Sequence, residues 1–164
     1  MDKSPLISIV TPTLNSEGSL MRALESVWSQ KGASFEHIII DGGSRDGTVA
    51  ILKKYQEKHP IRWISEKDDG IASAMNKGFV MAKGEVLTWL DADNRLEPGI
   101  LQKVEKIFME EKNADIVYGN IKLVGRNKMS DFIPPSNISF HSSLMKTTGG
   151  IPPQPGTFFK KRIF

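Results

Sequence analysis

The stretch LTWLDADNRL, residues 87–96, joins an apolar run to two carboxylates. The run from Val86 to Leu90 has the length of a buried strand, and it stops at Asp91, with Asp93 following one residue later. Side chains at positions i and i+2 of an extended chain point the same way, so Asp91 and Asp93 are expected to face one ligand. Such a pair repels itself unless a cation such as Mg²⁺ or Mn²⁺ lies between the carboxylates. The alternative is an Asp/Asn turn ahead of a helix that begins at Pro98.

Strand and helix patterns alternate on both sides of this stretch. Strands are predicted at residues 7–11, 35–40, 61–64, 85–90, 115–118 and 121–124, and helices at 20–28, 48–59, 70–82 and 98–112. This alternation is typical of βαβ units, and it predicts an α/β fold whose mainly parallel sheet carries helices on both faces. After Gly125 the chain is rich in Pro, Gly, Ser and Thr, which predicts long loops.

Polar residues follow three of the predicted strands. The first strand leads from Thr11 into TPTLN, the second from Asp41 into DGGSRDGT, and the fourth from Asp91 into DADN. Because ligands of parallel sheets bind beyond the carboxyl ends of the strands, these three clusters are expected to share one edge.

The loop DGGSRDGT, residues 41–48, is not a known phosphate loop. Gly42 and Gly47 have P-loop spacing, but Thr48 stands where a P-loop has lysine. The G-x-G-x-x-G dinucleotide fingerprint is also missing after the first strand, where TPTLNSEG stands instead. An ATPase and a classical NAD enzyme are therefore disfavoured. Asp46 is expected to cap the following helix, which leaves Asp41 as the better ligand candidate.

Composition indicates an ordinary soluble domain. The 164 residues carry a net charge of +3, include no cysteine, and place three histidines without metal-ligand spacing. No apolar run approaches the ~20 residues of a membrane span, and the first residues do not resemble a signal peptide. A cytoplasmic protein that binds no nucleic acid is expected. The basic run Lys160, Lys161 and Arg162 is interpreted as a solvated tail.

Four linked motifs resemble a family 2 glycosyltransferase with the GT-A fold. They are TPTLNSEGSLMRALESVWSQ, IIIDGGSRDGT and SEKDDGIASAMNKG followed by GEVLTWLDADN, across roughly the first 120 residues, and QPGTFFKK resembles the family's acceptor-side segment. The resemblance extends to members that build surface polysaccharides or other glycans. It implies one GT-A domain over residues 1–164, with a nucleotide-sugar-binding core at 1–124 and incomplete acceptor-side loops at 125–164.

The resemblance also implies roles for individual residues in inverting transfer from a nucleotide-diphosphate sugar. Asp41 would hydrogen-bond the base, Asp91 would contact the ribose or sugar, and Asp93, with Asp91, would bind Mn²⁺ or Mg²⁺. Other residues would line the donor: Thr11, Pro12, Asn15, Asp69, Gly70, Asn76, Lys77 and Ala92. The neighbouring Lys67 and Asp68 are interpreted as a solvated charge run.

The family's catalytic base follows the QPGTFFKK-like segment, and no acid follows Asp131 here. The base is therefore expected beyond Phe164, and Asp131, in a predicted loop, is a poor substitute. The acceptor would be a glycan or a lipid-linked glycan. A location at the inner face of the membrane, peripheral contact with that membrane and a homo-oligomer are compatible with this interpretation.

Three alternatives stay open. A non-catalytic module that binds a nucleotide-sugar would explain the missing base. A nucleotidyltransferase would share a metal-and-nucleotide edge, but TPTLNSEG lacks the Lys- or Arg-bearing glycine loop expected there. A dinucleotide oxidoreductase is disfavoured by the absent fingerprint.

Overall fold

The computed structural model describes residues 7–124, 129–132 and 156–164. Strands and helices alternate along them, which confirms the predicted α/β class. The elements are, in order, β1 (Ile7–Thr13), α1 (Leu20–Trp28), β2 (Phe35–Asp41), α2 (Thr48–Gln56), β3 (Arg62–Ser65), α3 (Ile71–Met81), β4 (Val86–Trp89), α4 (Ile100–Glu110), β5 (Ile116–Tyr118), β6 (Ile121–Val124), β7 (Met129–Phe132), β8 (Thr157–Lys160) and a 3-10 helix over Lys161–Ile163.

Six of the described strands form one sheet, in the spatial order β3-β2-β1-β4-β8-β5. β1 to β4 are parallel to one another, and β8 is antiparallel to both of its neighbours. β6 and β7 form a separate antiparallel pair. The main sheet is thus mainly parallel, as predicted, with one reversed strand between β4 and β5.

Helices cover both faces of the sheet. Ile7 and Ile9 of β1 belong to a buried cluster with residues of α1 and α4, whereas the following residue, Val10, packs with α3. Leu20 and Leu24 of α1 share a further cluster with Leu52 of α2. Because side chains alternate along a strand, α1, α2 and α4 lie on one face and α3 lies on the other.

α3 approaches β1 very closely at Gly78. A Cβ placed on this glycine would lie 2.3 Å from Cγ1 of Val10. A side chain at position 78 would therefore overlap the strand, and glycine allows the helix to pack down onto the sheet.

The prediction of loops throughout residues 125–164 is wrong in two places. Residues 129–132 form β7, so Asp131 lies in a strand, paired with Lys122 of β6. Residues 157–160 form β8 inside the main sheet, where the Thr88 hydroxyl donates to the Thr157 carbonyl at 2.8 Å. Lys160 therefore belongs to the sheet, and the predicted solvated tail is wrong for this residue.

Several predicted boundaries also shift. α4 begins at Ile100 rather than Pro98, because Gly99 has a left-handed φ of +75° that a helix cannot continue through. α2 ends at Gln56 rather than at His59, and a turn follows directly after Gln56. β1 continues to Thr13, because its last residues still pair with β2. The predicted loops at residues 125–128 and 133–155 lie outside the described residues.

Candidate functional site

The strand order reverses between β1 and β4. β2 and β3 lie on one side of β1 and β4 lies on the other, which is the arrangement at which open α/β sheets bind ligands. The two main chains stay together as far as Leu90, whose N–H donates to the Val10 carbonyl at 2.9 Å. Beyond this bond β1 continues while the chain after β4 turns away. The loops after β1, β2, β3 and β4 form the carboxyl edge of the sheet.

Residues Asp91 to Asn94 form a turn at this edge. The Asn94 N–H donates to the Asp91 carbonyl at 3.0 Å, and the Asn94 side-chain amide donates to Asp91 Oδ2 at 3.3 Å. The prediction of an extended Asp-x-Asp segment is therefore wrong. Asp93 is exposed, whereas the Ala92 side chain is 6% exposed and packs in the cluster beneath α1. Ala92 can therefore reach a ligand only through its main chain.

The Asp91 carboxylate is incompletely satisfied. Its Oδ1 is buried and accepts no hydrogen bond from the described residues. Burial raises the pKa of Asp91, the charge of Asp93 raises it further, and the Asn94 hydrogen bond lowers it. A buried carboxylate oxygen without a donor favours a proton or a cation beside it.

Asp91 and Asp93 have the chemistry to hold a divalent cation. Their carboxylates interact electrostatically, and their hard oxygen atoms suit Mg²⁺ or Mn²⁺. The described part of the chain contains no group of three or more His, Cys, Asp or Glu that could hold a metal. A cation held here would thus take its remaining ligands from water or from a bound molecule, as Mg²⁺ sites commonly do.

Asp41 is fully buried at the end of β2, with 0% exposure. Its Oδ2 accepts the N–H groups of Gly43 at 3.2 Å and Ser44 at 3.0 Å, and the Ser65 hydroxyl at 2.6 Å. Its Oδ1 accepts the Ser44 hydroxyl. Asp41 therefore anchors the loop after β2 and joins it to the end of β3. Ser44 and Ser65 were not predicted as site residues, although Ser65 directly follows the third predicted strand.

Asn15 joins the loops after β1 and β2. Its side-chain oxygen accepts the Arg45 N–H at 2.9 Å, and its own N–H donates to Ser44 Oγ at 2.7 Å. Its φ of +49° lies in the left-handed region, which asparagine enters more readily than most residues. The Asn15 side-chain oxygen is thus used between loops in this structure.

Glu17 and Asp46 extend the same connection with reciprocal bonds. The Glu17 N–H donates to Asp46 Oδ2 at 3.0 Å, and Glu17 Oε2 accepts the Gly47 N–H at 2.9 Å. The buried Thr48 hydroxyl accepts the Ser16 N–H at 2.8 Å and donates to Asp46 Oδ1 at 2.5 Å. We call residues 15–17 and 44–48, with these bonds, the loop clasp. Asp46 also accepts the Thr48 N–H at 3.0 Å, so it caps the first residue of α2 from just before the N-cap, Gly47.

Thr11 and Pro12 are buried within β1. Thr11 Oγ1 lies 2.8 Å from Nε2 of His37, which is itself fully buried. Burial lowers the pKa of His37 to about 3, so the ring is neutral at physiological pH. The side chain exposed at the end of this strand is that of Leu14. Thr11 and Pro12 accordingly do not present their side chains at the open carboxyl edge.

The start of α3 lies at the same edge. Asp69 and Gly70 are exposed there, and Gly70 has a φ of +110°. Asp68 accepts the Gly70 N–H at 2.9 Å, and its Oδ2 would lie 3.1 Å from a Cβ on Gly42. The interpretation of Asp68 as a solvated charge is therefore wrong, because this residue packs against the loop after β2.

The two predicted α3 residues differ in their surroundings. Asn76 is exposed, and Lys77 is half-buried and pairs with Glu66, a residue of the loop between β3 and α3. Glu66 was not singled out from the sequence. Its N–H donates to the Asp41 carbonyl at 3.0 Å, so the Lys77–Glu66 pair connects α3 to the end of β2.

Two further polar groups near this edge were missed. The Trp89 indole N–H and the Thr13 hydroxyl are buried, and neither has a hydrogen-bond partner among the described residues. Both residues end strands, but nothing in their sequence positions distinguishes them from ordinary core residues.

The loops after β1, β2 and β3 thus contact one another, and the Asp91 turn begins where β4 leaves β1. This is the convergence that the three polar strand ends predicted. A model of glycosyl transferase family 2 matches residues 8–160, which include every predicted site residue. The chain belongs to glycosyl transferase family 2.

A curated relative of this family 2 chain is a PGL/p-HBAD biosynthesis glycosyltransferase of Mycobacterium bovis (strain BCG / Pasteur 1173P2). The two are 35% identical over 127 residues. The match covers 76% of this chain and 50% of the relative, so the chain spans about half of that relative's length.

Two solved structures share the GT-A fold with this family 2 chain. The crystal structure of S. aureus TarS 1–349 in complex with UDP-GlcNAc matches with a TM-score of 0.72 at 23% identity, covering 96% of this chain and 46% of TarS. The mannosyltransferase PcManGT from Pyrobaculum calidifontis, in complex with GDP-Man and Mn²⁺, matches at 0.63 and 22% identity, covering 71% of this chain and 36% of that one. These likenesses confirm the predicted fold.

Within the described part of this family 2 chain, no helix combines the length and the apolar character needed to cross a membrane.

Proposed function

We propose that the chain binds a nucleotide-diphosphate sugar at the carboxyl edge and serves its inverting transfer to a glycan or lipid-linked acceptor. The observation that carries the proposal is the buried, unpartnered Oδ1 of Asp91 beside Asp93, at the point where the strand order reverses. The family membership supports it, as do the UDP-GlcNAc and GDP-Man complexes of the two structural relatives.

Asp91 and Asp93 are the residues that would hold Mn²⁺ or Mg²⁺ in this proposal. The ion would supply positive charge to the diphosphate, which becomes more negative as it leaves the sugar. Asp93, being exposed, offers its carboxylate from the solvent side, and Asp91 offers the buried Oδ1. The Asp91–Asn94 hydrogen bond holds the other oxygen of Asp91 in place.

Asp41 is proposed to recognise the base, and its environment limits how. Oδ2 already accepts three hydrogen bonds, so a base would bind at Oδ1 after the Ser44 hydroxyl rotates away. Ser65 and the two main-chain N–H groups would keep the carboxylate oriented for that contact. The fully buried position supports selectivity, because only a base group that replaces the Ser44 hydroxyl as donor can reach Oδ1.

The remaining predicted residues take positions around the donor in this proposal. Asp69, Gly70 and Asn76 are exposed toward solvent near the loop after β3, where a nucleotide or its sugar can approach. Asn15 and Lys77 are engaged with neighbouring loops, so we propose that they shape the site. Thr11 and Pro12 are buried, so they would support the donor site by holding the end of β1 in place.

We assign no general base to a described residue. Asp131 lies in β7, in the separate two-stranded sheet, and the base beyond Phe164 stays a prediction. A module that binds nucleotide-sugar without transferring it is therefore the second candidate, and turnover of a donor would separate the two. The cytoplasmic location, the homo-oligomer and the lack of nucleic-acid binding likewise stay predictions.

Calorimetric titration with UDP, GDP and dTDP, each with and without Mn²⁺, tests the donor site. We expect Mn²⁺-dependent binding of one nucleotide, weakened at least about tenfold in Asp93→Asn, because a charged ligand of the metal is lost. Glu97→Gln is the matched control, since Glu97 is an exposed acid four residues away. No binding by the folded wild type, or equal binding by Asp93→Asn, would overturn the proposal.

A further inference from the structure

A cavity of about 530 Å³ lies at the end of β4 opposite the candidate site. It is lined by Val86, the first residue of β4, and by residues of α4, β8 and the 3-10 helix. The carboxyl edge begins after Trp89, so the length of β4, roughly 13 Å, separates the two. The cavity therefore does not belong to the proposed donor site.

The lining of this cavity concentrates positive charge. Five of its ten lining residues are basic and one, Glu85, is acidic, so they carry a net +4, whereas the whole chain carries +3. The rest of the chain is therefore close to neutral. The basic residues are Lys83, Lys112, Lys160, Lys161 and Arg162.

Two of these cations are fixed by the fold. The Lys160 ammonium donates to the Lys112 carbonyl at 2.6 Å and lies 5.9 Å from the centre of the Phe108 ring. The Lys161 ammonium donates to the Ala82 carbonyl at 2.6 Å. An ammonium has three N–H donors, so each retains capacity for an anionic oxygen. Arg162 differs from these two lysines, because its guanidinium already forms an ion pair with the Asp115 carboxylate.

Apolar side chains lie beside these charges. Phe108 and Met109 of α4 line the cavity, and Met109 is 61% exposed. Cations next to exposed apolar groups are the pattern of surfaces that lie in a bilayer interface, where phosphates meet acyl chains.

We propose that this basic cavity docks the chain on the surface of an acidic phospholipid bilayer. A headgroup phosphate would bind between Lys160 and Lys161, and Met109, with the neighbouring apolar residues, would contact the acyl boundary. The exposed apolar groups favour a bilayer over a nucleic acid, which would leave them in water. The carboxyl edge lies at the opposite end of β4, so docking leaves the donor site accessible.

Sedimentation with vesicles tests this proposal. We expect the chain to bind vesicles of phosphatidylcholine mixed with an equal amount of phosphatidylglycerol, and not vesicles of phosphatidylcholine alone. Replacing Lys160 and Lys161 by Gln should lower partitioning roughly 30-fold, because each lysine near an acidic surface contributes about 1 kcal/mol. Met109→Glu places a negative charge at the exposed mouth of the cavity and should also lower binding, with little risk to folding.

The matched control replaces Lys53 and Lys54 by Gln. These exposed lysines lie on α2, next to β3 at the far edge of the sheet, and their loss changes the net charge equally. Binding within roughly threefold of wild type is expected for this control. An equal loss in both double variants would overturn the proposal, as would the absence of vesicle binding. Binding to vesicles of phosphatidylcholine alone that is as strong as binding to the mixed vesicles would also overturn the proposal, because the lysines would then not be recognising acidic headgroups.

Nucleotide titration separates this proposal from the proposed function. The Lys160 and Lys161 variant should bind nucleotide as wild type does, because neither lysine lies at the carboxyl edge. If nucleotide binding fails in every variant while vesicle binding follows these expectations, the docking surface stands and the donor site does not.

Discussion

Thr11 Oγ1 and His37 Nε2 lie 2.8 Å apart in the buried middle of the sheet. The histidine contacts no solvent, and burial lowers its pKa to about 3, from 6.5 in the unfolded chain. The pair thus places a neutral imidazole in the core, and the stability of the fold should respond to acid through this residue.

We expect His37 to make the free energy of unfolding fall as the pH drops from 6.5 toward 3. In this range the unfolded chain takes up a proton at His37 and the folded chain does not, so the contribution is about 1.4 kcal/mol per pH unit. Above pH 6.5 the dependence of stability on pH through His37 should vanish, because the ring is then neutral in both the folded and the unfolded chain. Urea unfolding at several pH values would measure it, with His37→Gln as the comparison. If the two proteins show the same slope against pH, His37 is not the cause.

Asp91→Asn should stabilise the metal-free protein while it removes a ligand of the proposed cation. The raised pKa of Asp91 means that its charge opposes folding once the carboxyl ionises, and Asn removes that charge. The gain expected in EDTA is below about 1 kcal/mol, because Asp91 is only half-buried and water screens part of its charge. Added Mn²⁺ should stabilise wild type but not Asp91→Asn. Urea unfolding with EDTA and with Mn²⁺ measures both effects, and a less stable Asp91→Asn in EDTA would contradict the assignment.

Thr48→Val should destabilise the fold by about 1–3 kcal/mol, because it leaves the Ser16 N–H of the loop clasp without its acceptor and removes one of the two hydrogen bonds to Asp46 Oδ1. Thr48→Ser keeps the hydroxyl and should lose less than about 1 kcal/mol. Chemical denaturation of both variants provides the measurement. Equal losses would show that the hydroxyl group does not hold the loop clasp together.

Gly78→Ala should destabilise the protein by about 2 kcal/mol, despite the better helix propensity of alanine. The added Cβ would overlap Val10, so the double variant with Val10→Ala should lose less stability than the sum of the two single losses. Gly18→Ala is the control, since a Cβ there meets nothing within 4 Å, and a change below about 0.5 kcal/mol is expected. Thermal unfolding of wild type, the three single variants and the double variant tests the contact, and strictly additive losses at positions 78 and 10 would contradict it.

The parallel strands and their shared edge were predictable because apolar runs followed by polar turn residues are local features. Val86 to Leu90 and Phe35 to Ile40 needed no distant information. β8 was missed because its identity depends on pairing with β4 and β5, and TFFK is too short to show a period. The run of Pro and Gly before it predicts a loop on local grounds alone.

The site was predicted better in position than in detail. A polar residue at the end of a strand can face a ligand or bond to its own loop, and sequence does not distinguish these outcomes. Asp41 accepts bonds from its own loop, and Thr11 bonds across the sheet to His37. Asp91 and Asp93 lie at the expected edge, but they are arranged by a turn whose Asn94 bond no periodicity reveals.

The insertion of β8 between β4 and β5 sets the order in which the protein can fold during synthesis. β1 to β4 can pair as they leave the ribosome, but β5 pairs with no other described strand than β8, which is made later. Until residue 157 emerges, the growing chain holds β4 as an open edge and β5 without a neighbour. Unpaired edges attract other chains, so dependence on chaperones should be greatest in this interval and end when the reversed strand enters the sheet.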